Sequence, residues 1–299
     1  MAVETKVKLS TMLGNYPNTA ALKSGKLQSD LVDFDFVDVK VANSFFKKVV
    51  REAAYDCAEL AIVTYLQAKT YGTPYVLLPA VVVGRGQHHT IAYNADRGLL
   101  KPSELAGKRV GVRAYTVTTG TWVRGILEQD YGVELDKVEW ITFEDPHVAQ
   151  YRDPDNIRRA EPGKELVQML LDGELDAAVV GDKLPDPRLR HLIPDPEEAA
   201  RKWALSHGGV PINHMFVMRQ DLAKARPDIV KEVFALLLAS KRAQKSASDG
   251  TPLDPLRFGV EACWPTLEVI IDFCARQKLI PKRIEVDALF DSTTRALVS

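Results

Sequence analysis

Short apolar runs alternate along the chain with longer amphipathic segments. The pattern predicts strands at residues 6–9, 34–41, 76–83, 90–94, 109–112, 176–181 and 210–218. A 3.6-residue period predicts helices at 44–54, 60–69, 120–130, 164–172 and 227–243, followed by a helical tail at 246–299. This alternation predicts an α/β fold with mainly parallel sheets. Ligands of such sheets bind beyond the carboxyl ends of the strands, so the loops after the strands carry the candidate chemistry.

Composition narrows the classes of function. The chain has 299 residues, enough for two domains or lobes, and its 46% hydrophobic content excludes intrinsic disorder. Lys and Arg total 39 against 40 Asp and Glu, so no basic excess indicates a nucleic-acid partner. The longest apolar run, residues 74–83, is too short to cross a membrane. The start of the chain has no apolar signal segment, and its three cysteines lack metal-type spacing, which together predict a cytoplasmic protein with reduced thiols.

Motif searches exclude several common chemistries. The sequence contains no phosphate-binding loop and no dinucleotide fingerprint, so neither a nucleotide nor a flavin cofactor is indicated. It also lacks the nucleophile elbow of serine hydrolases and the paired histidines of zinc proteases.

Histidines beside an arginine form the first candidate group. His88 and His89 follow a predicted strand on a loop with Arg85, and an arginine beside an imidazole suits binding of an anion and transfer of a proton. Only one of two consecutive histidines faces a given pocket. His214, on a later predicted strand, is either a second functional imidazole or a hydrogen-bonded core residue. The remaining histidines are interpreted as surface or core residues: His147, His191 and His207.

Two further loops carry polar side chains. Thr118 and Thr119 precede a predicted helix, whose N-terminus would bind a carboxylate, phosphate or sulfate; simple N-capping is the alternative. Asp56 and Glu59 are candidates for a base or metal ligands, or Asp56 only caps the following helix. Cys57, between them, is not expected to be a nucleophile because no base is placed for it.

Five segments carry a resemblance over most of the chain. They are AYDCAELAIVTYL, LPAVVVGRGQHHTIAYN, LKPSELAGKRVGVRAYTVTTGTWVRGILEQDYGV, LVQMLLDGELDAAVVGD and GGVPINHMFVMRQDL. Together they resemble the 4,5-dihydroxyphthalate decarboxylase family, which is similar in fold to type II periplasmic solute-binding proteins. The resemblance implies a two-lobed α/β fold with a ligand cleft between the lobes. Residues 1–94 and 215–299 would form lobe I, and residues 95–214 would form lobe II.

The resemblance also implies a carboxy-lyase that releases CO2 from a small hydroxylated aromatic carboxylate. In this hypothesis His88 or His214 transfers the proton, and Asp56 or Glu59 orients a histidine or accepts the phenolic proton. The expected substrate contacts are Arg85, Tyr115, Thr118, Thr119, Trp122, Arg124, Ser10 and Asn213, with Arg85 as the main carboxylate anchor. A divalent metal held by a histidine and a carboxylate fits this chemistry, although no ligand spacing demands one.

One departure from the family concerns the substrate. Where the family tends to have R-x-F-R-H, this chain has Gly86 and Gln87, so an aromatic residue and an arginine are replaced. Loss of one cation allows a substrate with one fewer carboxylate. The alternatives are a non-catalytic solute-binding protein for an anionic or aromatic ligand, and another reaction on the same scaffold. A homo-oligomer is left open.

Overall fold

The computed structural model describes residues 6–244 and 253–299. In chain order its strands are β1 (Val7–Met12), β2 (Val32–Phe36), β3 (Cys57–Ala61), β4 (Tyr75–Gly84), β5 (Ile91–Asn94), β6 (Arg109–Val112), β7 (Glu139–Thr142), β8 (Arg158–Arg159), β9 (Ala177–Val179), β10 (Leu189–His191) and β11 (Ile212–Arg219). Its α-helices are α1 (Ala20–Lys23), α2 (Phe46–Glu52), α3 (Ile62–Thr70), α4 (Thr118–Tyr131), α5 (Leu166–Asp172), α6 (Pro196–Ser206), α7 (Gln220–Ala225), α8 (Pro227–Arg242), α9 (Val260–Arg276) and α10 (Ser292–Arg295).

The strands form two sheets of mixed direction. The first has the order β2-β1-β3-β11-β4, in which β1 pairs parallel with β2 and β3, while β11 runs antiparallel to β3 and β4. The second has the order β10-β5-β9-β6-β7-β8, with parallel pairing from β9 to β8 and antiparallel pairing of β5 on both sides. The expectation of an α/β fold is confirmed, and each sheet also contains antiparallel strands.

Two adjacent chain segments connect the sheets. The chain leaves the first sheet at Gly84 and returns to it at Ile212, and these two residues face each other between β4 and β11. The Arg85 amide also donates to the Pro211 carbonyl at 3.1 Å. By sheet membership β5 lies in the second sheet and all of β11 in the first. Both assignments differ by several residues from the lobe boundaries expected at 94 and 214.

The C-terminal segment contacts helices of both halves. The Gln277 amide donates to the Thr121 carbonyl in α4 at 2.9 Å, and the Gln67 amide in α3 donates to the Leu279 carbonyl at 3.0 Å. Phe273 of α9 packs edge-on against Trp122 of α4, with ring centroids 5.6 Å apart. The tail was expected to be helical, and α9 and α10 agree with that; residues 246–252 lie outside the described residues. No helix of the described chain is long and apolar enough to cross a membrane.

The largest difference from the sequence pattern is β3. The pattern predicts a loop at 55–59 and a helix from residue 60, whereas Cys57–Ala61 is a completely buried strand near the middle of the first sheet. The helix α3 follows it immediately at Ile62. No turn residue separates strand from helix, so the continuous apolar run hides the boundary. Glu59 therefore lies inside a sheet and not on a loop.

Close packing of α4 on α9 gives a stability prediction. A Cβ atom on Gly125 would lie 2.1 Å from the Phe273 ring, and Phe273 is itself buried. Because overpacking of this kind costs about 1–3 kcal/mol, we expect Gly125→Ala to lower the midpoint of thermal unfolding by several degrees. Gln129→Ala, at an exposed position of the same helix, is the control. Equal melting temperatures for the two variants would contradict the packing described.

Candidate functional site

A cavity of about 340 Å³ lies between the two sheets, where β11 and β4 meet the N-termini of α3 and α4. We call it the cleft. Its lining is Tyr16, Lys40, Val41, Ala42, Asn43, Phe46, Ala61, Val83, Arg85, Arg113, Val117, Thr118, Thr119, His147, Asn213 and His214. Three of these described lining residues are cationic and none is a carboxylate. The cleft is therefore suited to an anionic ligand.

His214 lines the cleft, and a buried glutamate lies directly behind it. His214 of β11 lies opposite Ala61 of β3, and Glu59 lies two residues before Ala61 on the same face. This register lets the two side chains meet, with His214 Nδ1 2.5 Å from Glu59 Oε1. The Glu59 side chain is fully buried, whereas that of His214 is 20% exposed. Since Glu59 engages Nδ1, Nε2 is the imidazole nitrogen left for a ligand.

Two more donors hold the Glu59 carboxylate. The Tyr16 hydroxyl donates to Oε1 at 2.7 Å, and the Gly14 amide donates to Oε2 at 2.9 Å. Burial alone would raise the pKa of Glu59, but the hydrogen bond and charge of His214, together with these donors, outweigh burial and lower it. Burial and the nearby carboxylate raise the pKa of the Tyr16 hydroxyl, which therefore stays protonated. The pair is thus an ionised, fully partnered carboxylate behind an imidazole.

A polar network of Arg85, Thr119 and Asn213 also lines the cleft. Arg85 pairs with Asp182 and donates to the Thr119 hydroxyl at 3.2 Å. Asn213 also contacts that hydroxyl at 3.4 Å and accepts a hydrogen bond from the Gln87 amide at 2.7 Å. Gln87 is fully buried, so it acts through Asn213 and does not itself line the cleft. The network holds the side chains of Arg85 and Asn213 in place at the cleft.

Two helix N-termini also face the cleft. The helix α3 begins after Ala61 and α4 begins after Val117, and neither end has a side-chain cap. The Thr118 hydroxyl accepts from the Val63 amide of the facing helix at 3.3 Å and does not cap its own helix. The N-capping alternative for this loop is therefore wrong. The two helix ends add positive potential to the cleft, although the Val63 amide in the first turn of α3 is already bonded to Thr118.

Asp56 and Ser10 lie away from the cleft, in contrast to the expectation. Asp56 precedes β3, whose far end reaches the cleft at Ala61. Its carboxylate accepts from the Ser10 amide at 3.0 Å, and the Asp56 amide donates to the Ser10 carbonyl at 2.9 Å. These bonds join the entry of β3 to β1. The residue therefore neither caps a helix nor reaches a ligand in the cleft.

Trp122, Arg124 and Tyr115 also lie outside the cleft. The Trp122 indole is fully buried and donates to the Ile212 carbonyl at 2.8 Å. The Arg124 guanidinium is fully buried, donates to Gln277 Oε1 at 2.8 Å and stacks 3.9 Å from the Tyr115 ring centroid. Trp122 and Arg124, in the second turn of α4, point into the contact with α9. They hold α4 in place and do not line the cleft.

His88 faces a different cavity. It is almost completely buried and lines a space of about 500 Å³ beside α6, together with Trp203 and His207. Burial, with smaller effects of His89 and His207, lowers the pKa of His88 to about 4. Of the two imidazoles proposed for proton transfer, only His214 is in the cleft. His89 lines neither of these two cavities, and its Nε2 lies 3.3 Å from Asp182 Oδ1.

The cleft contains residues that the sequence analysis did not select. His147 was interpreted as a surface or core residue, and Phe46, Tyr16 and Arg113 carried no motif. They reach the cleft from segments far apart in the chain, so no local spacing marks them. Arg113 directly follows β6, and a position at the carboxyl end of a strand is the signal that could have marked it as a ligand-binding residue. As for metal binding, residues 6–244 and 253–299 contain no group of three or more His, Cys, Asp or Glu that could hold an ion.

Comparison with known proteins shows the family of the chain. The chain is 32% identical over 237 residues to the 4,5-dihydroxyphthalate decarboxylase of Comamonas testosteroni, covering 75% of this chain and 71% of the relative. It is 33% identical over 221 residues to the enzyme of the same name from Pseudomonas putida, with coverages of 69% and 85%. The chain belongs to the 4,5-dihydroxyphthalate decarboxylase family. No protein-family model matches it.

Solved structures place this decarboxylase family member in a wider fold class. The periplasmic aliphatic sulphonate-binding protein SsuA of Escherichia coli aligns with a TM-score of 0.60 at 12% identity, covering 98% of this chain and 94% of that one. The desulfurization enzyme DSZB aligns with a TM-score of 0.58 at 13% identity, with coverages of 96% and 97%. These likenesses confirm the two-lobed periplasmic-binding-protein-like fold. At such low identity they carry no further information about function.

Proposed function

We propose that the protein is a decarboxylase that releases CO2 from a small hydroxylated aromatic carboxylate bound in the cleft. Membership of the decarboxylase family supports the reaction class. The observation that carries the assignment to the cleft is the Glu59–His214 pair, an imidazole on a fully buried carboxylate that faces a cationic, carboxylate-free wall. Such a pair supplies a proton donor of fixed orientation beside a site for an anion.

The chemistry requires an electron-rich ring. A hydroxyl ortho or para to the departing carboxylate supplies electron density, most strongly as a phenolate, and the ring carbon that bears the carboxylate then accepts a proton. The C–C bond breaks, its electron pair returns to the ring, and CO2 leaves. His214 Nε2 is the proton donor in this scheme, and solvent restores the proton. Glu59 orients the imidazole and stabilises its cationic form.

In this proposal the network of Arg85, Thr119 and Asn213 binds the anion. Arg85 anchors a carboxylate, assisted by the Thr119 hydroxyl and the Asn213 amide. The start of α4, whose Thr118 and Thr119 line the cleft, provides a further subsite for an anionic oxygen. Gln87, where the family tends to have arginine, supplies no charge to this network. The proposed substrate therefore includes monocarboxylates as well as 4,5-dihydroxyphthalate-like dicarboxylates.

A substrate screen tests the function. We expect CO2 release from at least one dihydroxylated benzoate or phthalate and none from the matched acid without hydroxyl groups, because only the hydroxylated ring accepts the proton. The measurement is CO2 release, with a thermal-shift titration of the same compounds in parallel. Binding of these acids without turnover of any of them would contradict the proposal and favour a carrier. Repeating the active reaction with a chelator checks whether a divalent metal is required.

Two expectations from the sequence stay predictions. The cytoplasmic location is checked by fractionating cells that carry the intact gene. The oligomeric state is checked by the mass of the protein in solution. Neither affects the assignment of groups within the cleft.

A further inference from the structure

The cleft contains a second imidazole, that of His147, which the proposed reaction has not used. It lies after β7 of the second sheet, is 6% exposed and lines the cleft. The Arg51 side chain of α2 binds the carbonyls of His147 and Pro146 at 2.7 and 2.9 Å, which holds this segment against the first half of the molecule. The backbone of His147, which follows a strand of the second sheet, is therefore held by a helix that packs on the first.

The hydrogen bonds of His147 leave one nitrogen for a ligand. Nδ1 lies 2.8 Å from the Thr64 hydroxyl of α3. Nε2 forms no hydrogen bond within the described part of the chain, and it is not completely shielded from solvent. When Thr64 donates to Nδ1, the hydrogen of the neutral ring is on Nε2, which makes Nε2 a donor toward the cleft.

The surroundings of His147 keep its ring neutral. Burial, with the charges of Arg113, Lys47, Arg51 and His214, lowers the pKa of His147 to about 3. Arg113 directly follows β6 and is itself paired with Glu144 at 2.9 Å, and Lys47 and Arg51 lie on α2. Burial disfavours a charge of either sign, whereas the positive charges of Arg113, Lys47 and Arg51 favour an anion near this ring. The Nε2 end of His147 is thus an electrostatically prepared position for a negatively charged oxygen.

The two imidazoles share one neighbour and have opposite environments. Phe46 packs edge-on to both rings, with centroids 5.6 Å from His147 and 5.2 Å from His214. His214 is bound to the ionised Glu59, whereas His147 is surrounded by cations. Where two titratable groups of one site have such different environments, they take different roles in the reaction.

We propose that His147 is a further substrate-contacting residue, which donates a hydrogen bond from Nε2 to the phenolate oxygen of a hydroxylated aromatic carboxylate. This inference rests on the proposed function and names the group that recognises the ring hydroxyl. The phenolic proton leaves to solvent as the substrate binds, and the phenolate supplies electron density to the ring. His214 then protonates the ring carbon. His147 remains neutral throughout and exchanges no proton with the substrate.

The test uses a chromophoric phenol and needs no turnover. The probe is 4-hydroxy-3-nitrobenzoate, whose phenolate absorbs at longer wavelength than its phenol, titrated with pH in the presence of saturating protein. In the wild-type protein we expect the pKa of the bound phenol to fall by about one unit or more below its value in solution. In His147→Phe we expect most of that decrease to be lost. His191→Gln, which removes an imidazole outside the cleft, should match the wild type.

A second variant tests the same hydrogen bond without changing His147, in case His147→Phe does not fold. Thr64→Val keeps the volume of the side chain and removes the hydroxyl that binds Nδ1, so the phenol pKa should rise part of the way towards the solution value. Equal phenol pKa values in the wild type and both variants, with the probe still bound, would overturn the role of His147. Failure of the wild-type protein to bind the probe would overturn the ligand class and this inference with it. A lowered phenol pKa without CO2 release from any substrate would overturn the decarboxylase function alone.

Discussion

The His214→Gln variant is expected to release CO2 at least about 100-fold more slowly than the wild-type protein, with little change in KM. Glutamine carries an N–H group that can donate to Glu59, so the buried carboxylate keeps a partner and the fold is preserved. It cannot give up a proton, so protonation of the ring carbon loses its donor. Because anion binding falls to Arg85 and the helix ends, the substrate should still bind.

Steady-state CO2 release and a thermal-unfolding curve together check this expectation. His207→Gln is the matched control, since His207 lies beside α6 in the cavity that contains His88 and not in the cleft. A wild-type kcat in His214→Gln would show that His214 is not the proton donor. It would also remove the main reason for placing the reaction in this cleft.

The Glu59→Gln variant is expected to lose about 10- to 100-fold in kcat, because a neutral amide no longer stabilises the cationic imidazole or fixes its orientation. The side chain is fully buried and accepts hydrogen bonds from Tyr16, Gly14 and His214. Glutamine keeps the volume and one acceptor oxygen. Glu59→Asp, which keeps the charge on a shorter side chain, should recover part of the activity, whereas a purely structural role would make it no better than the amide.

The same residue makes a prediction for acid stability. The pKa of Glu59 in the folded protein lies below its ordinary value of 4.5. A carboxyl with a depressed pKa stabilises the fold at pH values above its unfolded pKa, and this contribution is lost as the pH falls through the folded value. We therefore expect the stability of the wild type to drop more steeply than that of Glu59→Gln below about pH 4.5. Urea unfolding at several pH values measures the difference, and parallel curves would contradict it.

The sequence predicts the class of fold, and six of the twelve candidate site residues lie in or directly behind the cleft, for reasons that can be named. Glycine and proline boundaries and apolar periodicity mark strands such as β6 and helices such as α8, and both were predicted closely. Arg85, Thr118, Thr119, Asn213, Glu59 and His214 were selected and the structure brings them to or behind the cleft. The Glu59–His214 contact itself depends on the register of two strands 155 residues apart in the chain, which no local pattern encodes.

Other candidate residues are close in sequence to cleft residues but do not reach the cleft. Trp122 and Arg124 lie in a conspicuous motif beside the threonine loop, but helical geometry turns them into the contact with α9. His88 follows Arg85 by only three residues, yet the chain turns so that the two side chains serve different cavities. His147 was set aside because it stood alone in the sequence. Adjacency along the chain is a poor guide to adjacency in a cleft assembled from two sheets.

The C-terminal segment gives the molecule a property that a simple hinge lacks. Gln277 and Leu279 are neighbours in sequence and bond to α4 and α3, the two helices whose N-termini face the ligand. A wide swing of one half against the other would have to detach this segment from α4, where Phe273 also packs on Trp122, or from α3. These contacts preorganise the cleft, so little of the binding energy of a substrate is spent on ordering its lining residues.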